Sequence, residues 1–223
     1  MKKIAIVATV LIGILVVAKM SGALVNYTLP TTSNEPTIPV GSHIFGSSLL
    51  QPKVGDFATF RPPLPESPSN DKHIYVKRLC GLAGDEIEMK NGIFYLNGEN
   101  FDTSLSLQHS YVLDKQTFNS IKQKHPISDF DQAGEVYLVQ IKDKVAEEFG
   151  ILDKKIIQTT AENGAPVFEK FNENGQWTRD NFGPITVPNN MVFFMGDNRH
   201  YSYDSRYFGF VSIESVTGKV LGY

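Results

Sequence analysis

Three regimes of hydrophobic and polar patterning follow one another along the chain. The first is an uncharged apolar run from Ile4 to Ala18, preceded by Lys2 and Lys3 and followed by Lys19 and a milder apolar stretch from Met20 to Val25. As a helix the uncharged run covers roughly 22 Å, short of a bilayer core of about 30 Å. Continued through Lys19 to Val25 it is long enough to span, with the Lys19 ammonium reaching up to the interface and Lys2 and Lys3 keeping the N-terminus cytoplasmic. The same residues also read as a cleaved secretory signal, with Ser21-Gly22-Ala23 as the small-residue cut site. Either reading carries the rest of the chain across a membrane.

From about Asn26 the pattern changes to short β-like runs broken by turn residues. Asp85 to Lys90 and Ile93 to Asn97 flank Asn91-Gly92, a pair suited to a tight hairpin. His73 to Lys77 alternates apolar and polar residues, and Met191 to Met195 is a continuous apolar run expected to be a buried strand. Arg61 to Asn70 is rich in proline and predicts an exposed connecting loop. The third regime, from about Asn100, mixes helical stretches near Asp114–Lys124 and Lys142–Phe149 with polar turns such as Asn172-Glu173-Asn174-Gly175. Trp177, in its last part, is expected to pack against the core. The pattern predicts a mainly β fold: an antiparallel β core over 26–99 and 187–223 and a mixed α/β subdomain inserted at 100–186, preceded over 1–25 by either an N-terminal transmembrane helix or a cleaved signal.

Composition narrows the function classes. Lys and Arg number 21 against 24 Asp and Glu, for a net charge of -3, so no positive field draws nucleic acid to the surface. The single cysteine, Cys80, closes no internal disulfide and builds no thiolate metal cluster. The five histidines lack the close pairing of a helix-borne metal site. No metal and no cofactor is expected.

Three blocks carry candidate chemistry. Thr31-Thr32-Ser33-Asn34-Glu35-Pro36-Thr37 places a serine just beyond the apolar segment, and alone would be an ordinary turn. Val76-Lys77-Arg78-Leu79-Cys80-Gly81-Leu82-Ala83-Gly84-Asp85 puts a lysine at the end of a strand, usually a solvated position. Met195-Gly196-Asp197-Asn198-Arg199-His200-Tyr201-Ser202-Tyr203-Asp204-Ser205-Arg206 concentrates acids, arginines and serines in one turn region, which by itself could be a weak surface ion network.

In this order and after an apolar segment, the three blocks resemble the type I signal peptidase (leader peptidase) family. The last block is the most specific, with Gly-Asp-Asn-Arg followed by Ser-x-Asp-Ser-Arg; Lys-Arg-x-x-Gly-x-x-Gly-Asp is nearly as specific. The insert matches only in standing where that family carries a variable cap domain. The resemblance implies a serine endopeptidase with Ser33 as nucleophile and Lys77 as general base, without a histidine. A lysine amine can serve as base if an apolar setting keeps it neutral. The resemblance further implies that Ser202 orients the Lys77 amine, that Asp204 pairs with Arg206 and Asp197 with Arg78, and that the Ser33 backbone N–H and the Thr31 hydroxyl form the oxyanion hole. Pro36 would set the backbone after the nucleophile and Thr37 would support the turn.

The family usually carries methionine after the nucleophile, whereas this chain has Asn34, which places a packing contact in the substrate groove in question. Cys80 is expected to be a small buried hydrophobe, not a nucleophile, and His200 a surface side chain. The implied partners are preproteins whose signal peptides bind as extended segments with small side chains near the cut, the lipid bilayer, and, by proximity, the secretion translocon. The implied location is the outer face of the cytoplasmic membrane, reached through an uncleaved anchor, with apolar residues such as Phe45 or Phe57 resting on lipid. Two rivals stand beside this reading. One is a Ser-Lys peptidase dedicated to a single substrate such as a conjugative pilin; the other is a silent, tethered preprotein-binding relative, favoured only by Asn34.

Overall fold

A computed structural model of the chain describes residues 21–63, 73–127, 129–160 and 175–223, with 168, 172 and positions 4, 6, 7, 9, 10, 12, 13, 17 and 19. Those N-terminal positions are helical and exposed, and the remainder of the expected anchor over 1–20 lies outside the described residues. Among the described residues no helix is long and apolar enough to cross a membrane. One boundary is corrected: Leu24 and Val25, expected to end the anchor, begin strand β1 (Leu24–Thr28), which pairs along its whole length with β2 (His43–Ser47). The proline-rich loop lies outside the described residues from 64 onward.

Alternating and continuous apolar runs close into a seven-stranded antiparallel sheet. Its remaining strands are β3 (Phe57–Phe60), β4 (Tyr75–Leu82), β12 (Met191–Met195), β13 (Val211–Ser212) and β14 (Val216–Gly222), in the order β1-β2-β14-β3-β4-β12-β13. The strand carrying Lys77 is therefore interior, flanked by β3 and β12, and six of its eight residues are buried. Met195 stands opposite Arg78, so the chain leaves β12 beside Lys77.

The expected hairpin forms. Strands β5 (Glu86–Lys90) and β6 (Ile93–Leu96) pair around Asn91 and Gly92, whose φ values of 49° and 73° are those a tight primed turn demands. With β7 (Glu99–Asn100) and β11 (Phe182–Thr186) they make a four-stranded sheet in the order β11-β5-β6-β7. Phe182, Phe193, Phe94 and Ile87 are buried in the cluster between this sheet and β12, with Trp177 half-buried against it. β11 thus falls inside the expected insert in sequence but belongs to the core in space, because Phe182 buries its ring opposite Met89 and Ile185 packs half-buried opposite Ile87.

The rest of the insert has its own sheet and core. β8 (Gln108–Asp114), β9 (Phe130–Ala133) and β10 (Val136–Lys142) pair in the order β8-β10-β9. Helices α1 (Lys115–Lys124) and α2 (Asp143–Glu148) form where their sequence pattern predicts. Asp114 caps α1 by accepting the Thr117 N–H, satisfying one of the open donors of its first turn. Phe118, Ile121, Tyr137, Val139 and Ala146 form a separate apolar cluster.

Candidate active site

Ser33 and Lys77 are 44 positions apart in sequence and in contact in the fold. The Lys77 Nζ lies 2.5 Å from the Ser33 Oγ, and both residues are buried, at 6% and 5% exposure. Burial is the main force on the Lys77 amine: it disfavours the charged form and brings the group from its ordinary 10.5 down to about 8. The Asp204 carboxylate opposes that shift and the Arg206 guanidinium adds to it. The Tyr75 ring lies 5.8 Å from the same nitrogen. Thr31 is exposed and its hydroxyl stands 3.1 Å from the Ser33 Oγ.

The two expected ion pairs are present and buried. Arg78 donates through Nε to Asp197 Oδ1 at 2.8 Å and through Nη2 to Oδ2, a two-pronged pair, while its Nη1 donates to the Gly55 carbonyl. Arg206 donates to Asp204 through Nε at 2.8 Å and Nη2 at 2.9 Å, and the Gly196 N–H donates to the same carboxylate at 3.1 Å. Burial by itself would raise the Asp204 carboxyl; the Arg206 charge and these hydrogen bonds hold it below its usual range. The buried Ser202 hydroxyl lies beside the Asp204 carboxylate and makes no hydrogen bond to Lys77, where the resemblance implied one.

The sequence reading gave Asn198 and Gly196 no role at the site and named no partner for Asn34 or Thr37. Asn34, next to the serine, donates its side-chain amide to the Val76 carbonyl at 2.8 Å, so the residue replacing the family's methionine clasps the lysine strand. Thr37 donates its hydroxyl to Asp197, tying the serine turn to the Arg78 pair. Asn198 donates its backbone N–H to the Ser33 carbonyl at 3.1 Å and its side chain to the Thr32 carbonyl at 3.2 Å. Its place in Gly-Asp-Asn-Arg was the available signal. Gly196 is the tightest point: a Cβ there would fall 2.3 Å from both the Ser33 carbonyl oxygen and the Ser202 Oγ.

Two expectations about neighbouring residues resolve in opposite senses. Cys80 is fully buried in the core, where burial pushes its thiol up to about 12, so it is held as the unreactive thiol. His200 is not a surface residue: its side chain is 1% exposed and is held on both ring nitrogens, by Ser110 and Asp180. The apolar residues expected at lipid divide, since Phe45 is 46% exposed on β2 whereas Phe57 is buried with the Arg78 guanidinium 4.3 Å above its ring.

A buried serine hydroxyl against a lysine amine of lowered basicity, on an antiparallel β scaffold, suits the chemistry of a serine hydrolase. A family model described as "Signal peptidase, peptidase S26" matches residues 2–222. The chain is 28% identical over 209 residues to signal peptidase I of Aquifex aeolicus (strain VF5), covering 86% of this chain and 72% of that protein. It is 29% identical over 196 residues to signal peptidase I of Bacillus caldolyticus, covering 87% and 76%. Against signal peptidase I of Rickettsia typhi (strain ATCC VR-144 / Wilmington) it is 29% identical over 171 residues, 76% of this chain and 50% of that one. The chain belongs to the signal peptidase family, peptidase S26, and is a serine peptidase.

Proposed function

We propose that this chain removes N-terminal signal peptides from exported preproteins, using Ser33 as nucleophile and Lys77 as general base. The observation that carries the reading is the buried 2.5 Å contact between the Lys77 Nζ and the Ser33 Oγ. The amine's lowered proton affinity supports it, since only the neutral form can accept the serine proton.

The chemistry runs in two halves. Neutral Lys77 takes the hydroxyl proton of Ser33 as Oγ bonds to the scissile carbonyl carbon. The negative oxygen of the tetrahedral species is met by the Ser33 N–H and the Thr31 hydroxyl. The Lys77 ammonium returns the proton to the departing amine as the C–N bond breaks, leaving an ester on Ser33. Water, deprotonated by Lys77, cleaves that ester and restores both groups. Asp204 and Arg206 act at a distance by setting how readily Lys77 gives up its proton; Asp197 and Arg78, with Thr37, hold the serine turn against the lysine strand.

The substrate is an extended segment with small side chains near the cut. The apolar segment ahead of β1, with Lys2 and Lys3 before it, anchors the chain in the cytoplasmic membrane with the β domain on the outer face, close to the translocon. Tethering raises the effective concentration of Ser33 at substrates that are themselves bilayer-bound.

The test is cleavage of a model preprotein by the detergent-solubilised full-length chain beside Ser33→Ala, Lys77→Ala and Cys80→Ala. Cutting after a small residue by wild type and the cysteine variant, with the other two silent, is the expected result. Cleavage that survives Ser33→Ala, or a wild type silent on several preproteins, overturns the reading. Fractionation and external protease digestion of cells check the anchored, outward-facing arrangement.

A further inference from the structure

Strand β8 of the inserted sheet meets the loop after β12 through backbone and side chain. Gln108, the first residue of β8, donates its N–H to the Asp197 carbonyl at 3.0 Å and accepts the Arg199 N–H at 3.0 Å, forming a short parallel bridge with the loop after β12. Two residues along β8, the Ser110 N–H donates to His200 Nδ1 at 3.0 Å. The other ring nitrogen, Nε2, stands 3.3 Å from Asp180 Oδ1. The insert is thus hydrogen-bonded to the segment that contains Asp197 and leads to Ser202 and Asp204.

That geometry selects one form of the imidazole. A backbone N–H is always a donor, so Nδ1 must present a lone pair, and the single ring proton then sits on Nε2, facing the Asp180 carboxylate. A doubly protonated ring would set N–H against N–H at Ser110. The groups facing His200 are Asp180 and Arg179 ahead of β11, Arg206 from the helix of residues Ser205–Phe208, and His109 from β8. The His109 ring packs edge-on at 5.1 Å; it is tied to Asp143, which also accepts from Tyr111 and Lys155. Burial dominates these influences and pushes His200 below its ordinary value, in keeping with a neutral ring.

His200 is one peptide away from a sensitive point. The Arg199 carbonyl accepts a hydrogen bond from Arg206 Nη2, and Arg206 with its partner Asp204 sets the charge environment of Lys77. Two residues upstream, Asn198 holds the Ser33 carbonyl. A shift of 198–200 therefore displaces the serine turn and the ion pair facing the lysine together.

We propose that His200 is a positioning residue: by accepting the Ser110 N–H it locks the insert to the 197–202 segment, and the insert thereby holds Ser33 and the Asp204–Arg206 pair in register with Lys77. The proposal rests on the reading of Ser33 and Lys77 as the reacting pair. It gives the insert a task in the reaction beyond covering the core. A histidine that merely fills space would be replaceable by any side chain of similar volume.

The experiment compares His200→Leu, which keeps bulk without an acceptor, with His200→Asn, whose side-chain oxygen can occupy the Nδ1 position. His200→Gln is added because it places its polar end at the Nε2 distance instead. All are assayed as full-length, detergent-solubilised protein on a model preprotein, for kcat, KM and the pH dependence of kcat/KM, with thermal melts alongside. His200→Leu should lose roughly 10- to 100-fold in kcat with KM within about twofold, and its acid limb should move from the wild-type position. His200→Asn should recover most of the rate; His200→Gln should not. If His200→Leu does not fold, the contrast between Asn and Gln decides. A Leu variant with wild-type kcat and acid limb, or Asn and Gln variants equally impaired, overturns the proposal while the Ser33 reading stands. Cleavage that persists in Ser33→Ala, or a silent wild type, sinks both.

Discussion

Asn34 and Val76 are joined by a buried 2.8 Å hydrogen bond from the side-chain amide to the backbone carbonyl, and each stands next in sequence to one member of the Ser33–Lys77 pair. The bond holds the Ser33 turn against the strand bearing Lys77 across a chain separation of 42 residues. What the sequence marked as a lost packing contact is a polar clasp. Asn34→Leu keeps the branched shape and removes the donor, so kcat should fall about tenfold and stability by about 1–2 kcal/mol, read by preprotein cleavage and by urea unfolding. Unchanged kcat in Asn34→Leu would leave the clasp without a role in alignment.

The pH profile follows from the amine. Lys77 is neutral only above about 8, so kcat/KM should climb with pH through that region and level off above it. The same shift carries a stability consequence. The unfolded chain keeps this proton up to the ordinary value of 10.5 and the folded chain only to about 8, so between those limits the unfolded state binds more protons and stability rises with pH. Below about 8 the whole penalty is present. Lys77→Met should therefore abolish cleavage and raise stability at pH 7 by about 3 kcal/mol, with the gain shrinking as pH approaches 10.5. Melts of the two proteins from about pH 6 to about pH 10 check the sign.

Asp204 raises the proton affinity of Lys77, and Arg206 lowers it. Asp204→Asn removes the anion and keeps the shape, which disfavours the ammonium further. The acid limb should move to lower pH. The variant also leaves Arg206, fully buried, without its carboxylate, a loss of about 3–5 kcal/mol in stability. A limb that moves to higher pH in folded Asp204→Asn contradicts the assignment.

Gly196 admits no side chain. A Cβ at this position would lie 2.3 Å from the Ser33 carbonyl oxygen, a backbone atom itself held by the Asn198 N–H. Relief requires moving the serine turn or the loop after β12, so Gly196→Ala should cut kcat by about 100-fold or more, with a loss in melting temperature. Gly222, at the end of β14, has open space around its Cβ position and serves as the comparison, where alanine should leave kcat near wild type.

Local chemistry carried much of the fold into view. Asn91-Gly92 meets the positive φ values of a tight turn with the two residues that tolerate them best, so the β5–β6 hairpin was legible from one short stretch of neighbouring positions. The helices at Lys115–Lys124 and Asp143–Glu148 were legible for the same reason, since their pattern and the Asp114 cap are local. The apolar run Met191–Met195 declared a buried strand, and the three polar blocks named Ser33, Lys77 and both ion pairs.

By itself, then, the sequence determined the element types, which depend on residues close together in the chain, and the family, which depends on the order of three short blocks. Tertiary structure decided the rest. Phe182 returned β11 to the core, although its chain position placed it in the insert, because its ring had an apolar cluster to join. His200 was buried because Ser110, 90 positions away, supplied a donor and Asp180 an acceptor; without those partners its burial would be costly. Asn34 became a clasp only because folding set the Val76 carbonyl beside it. The basicity of Lys77 is likewise a property of its surroundings: the side chain is that of any lysine, and it is the exclusion of water by the packed sheet that lowers its hold on the proton.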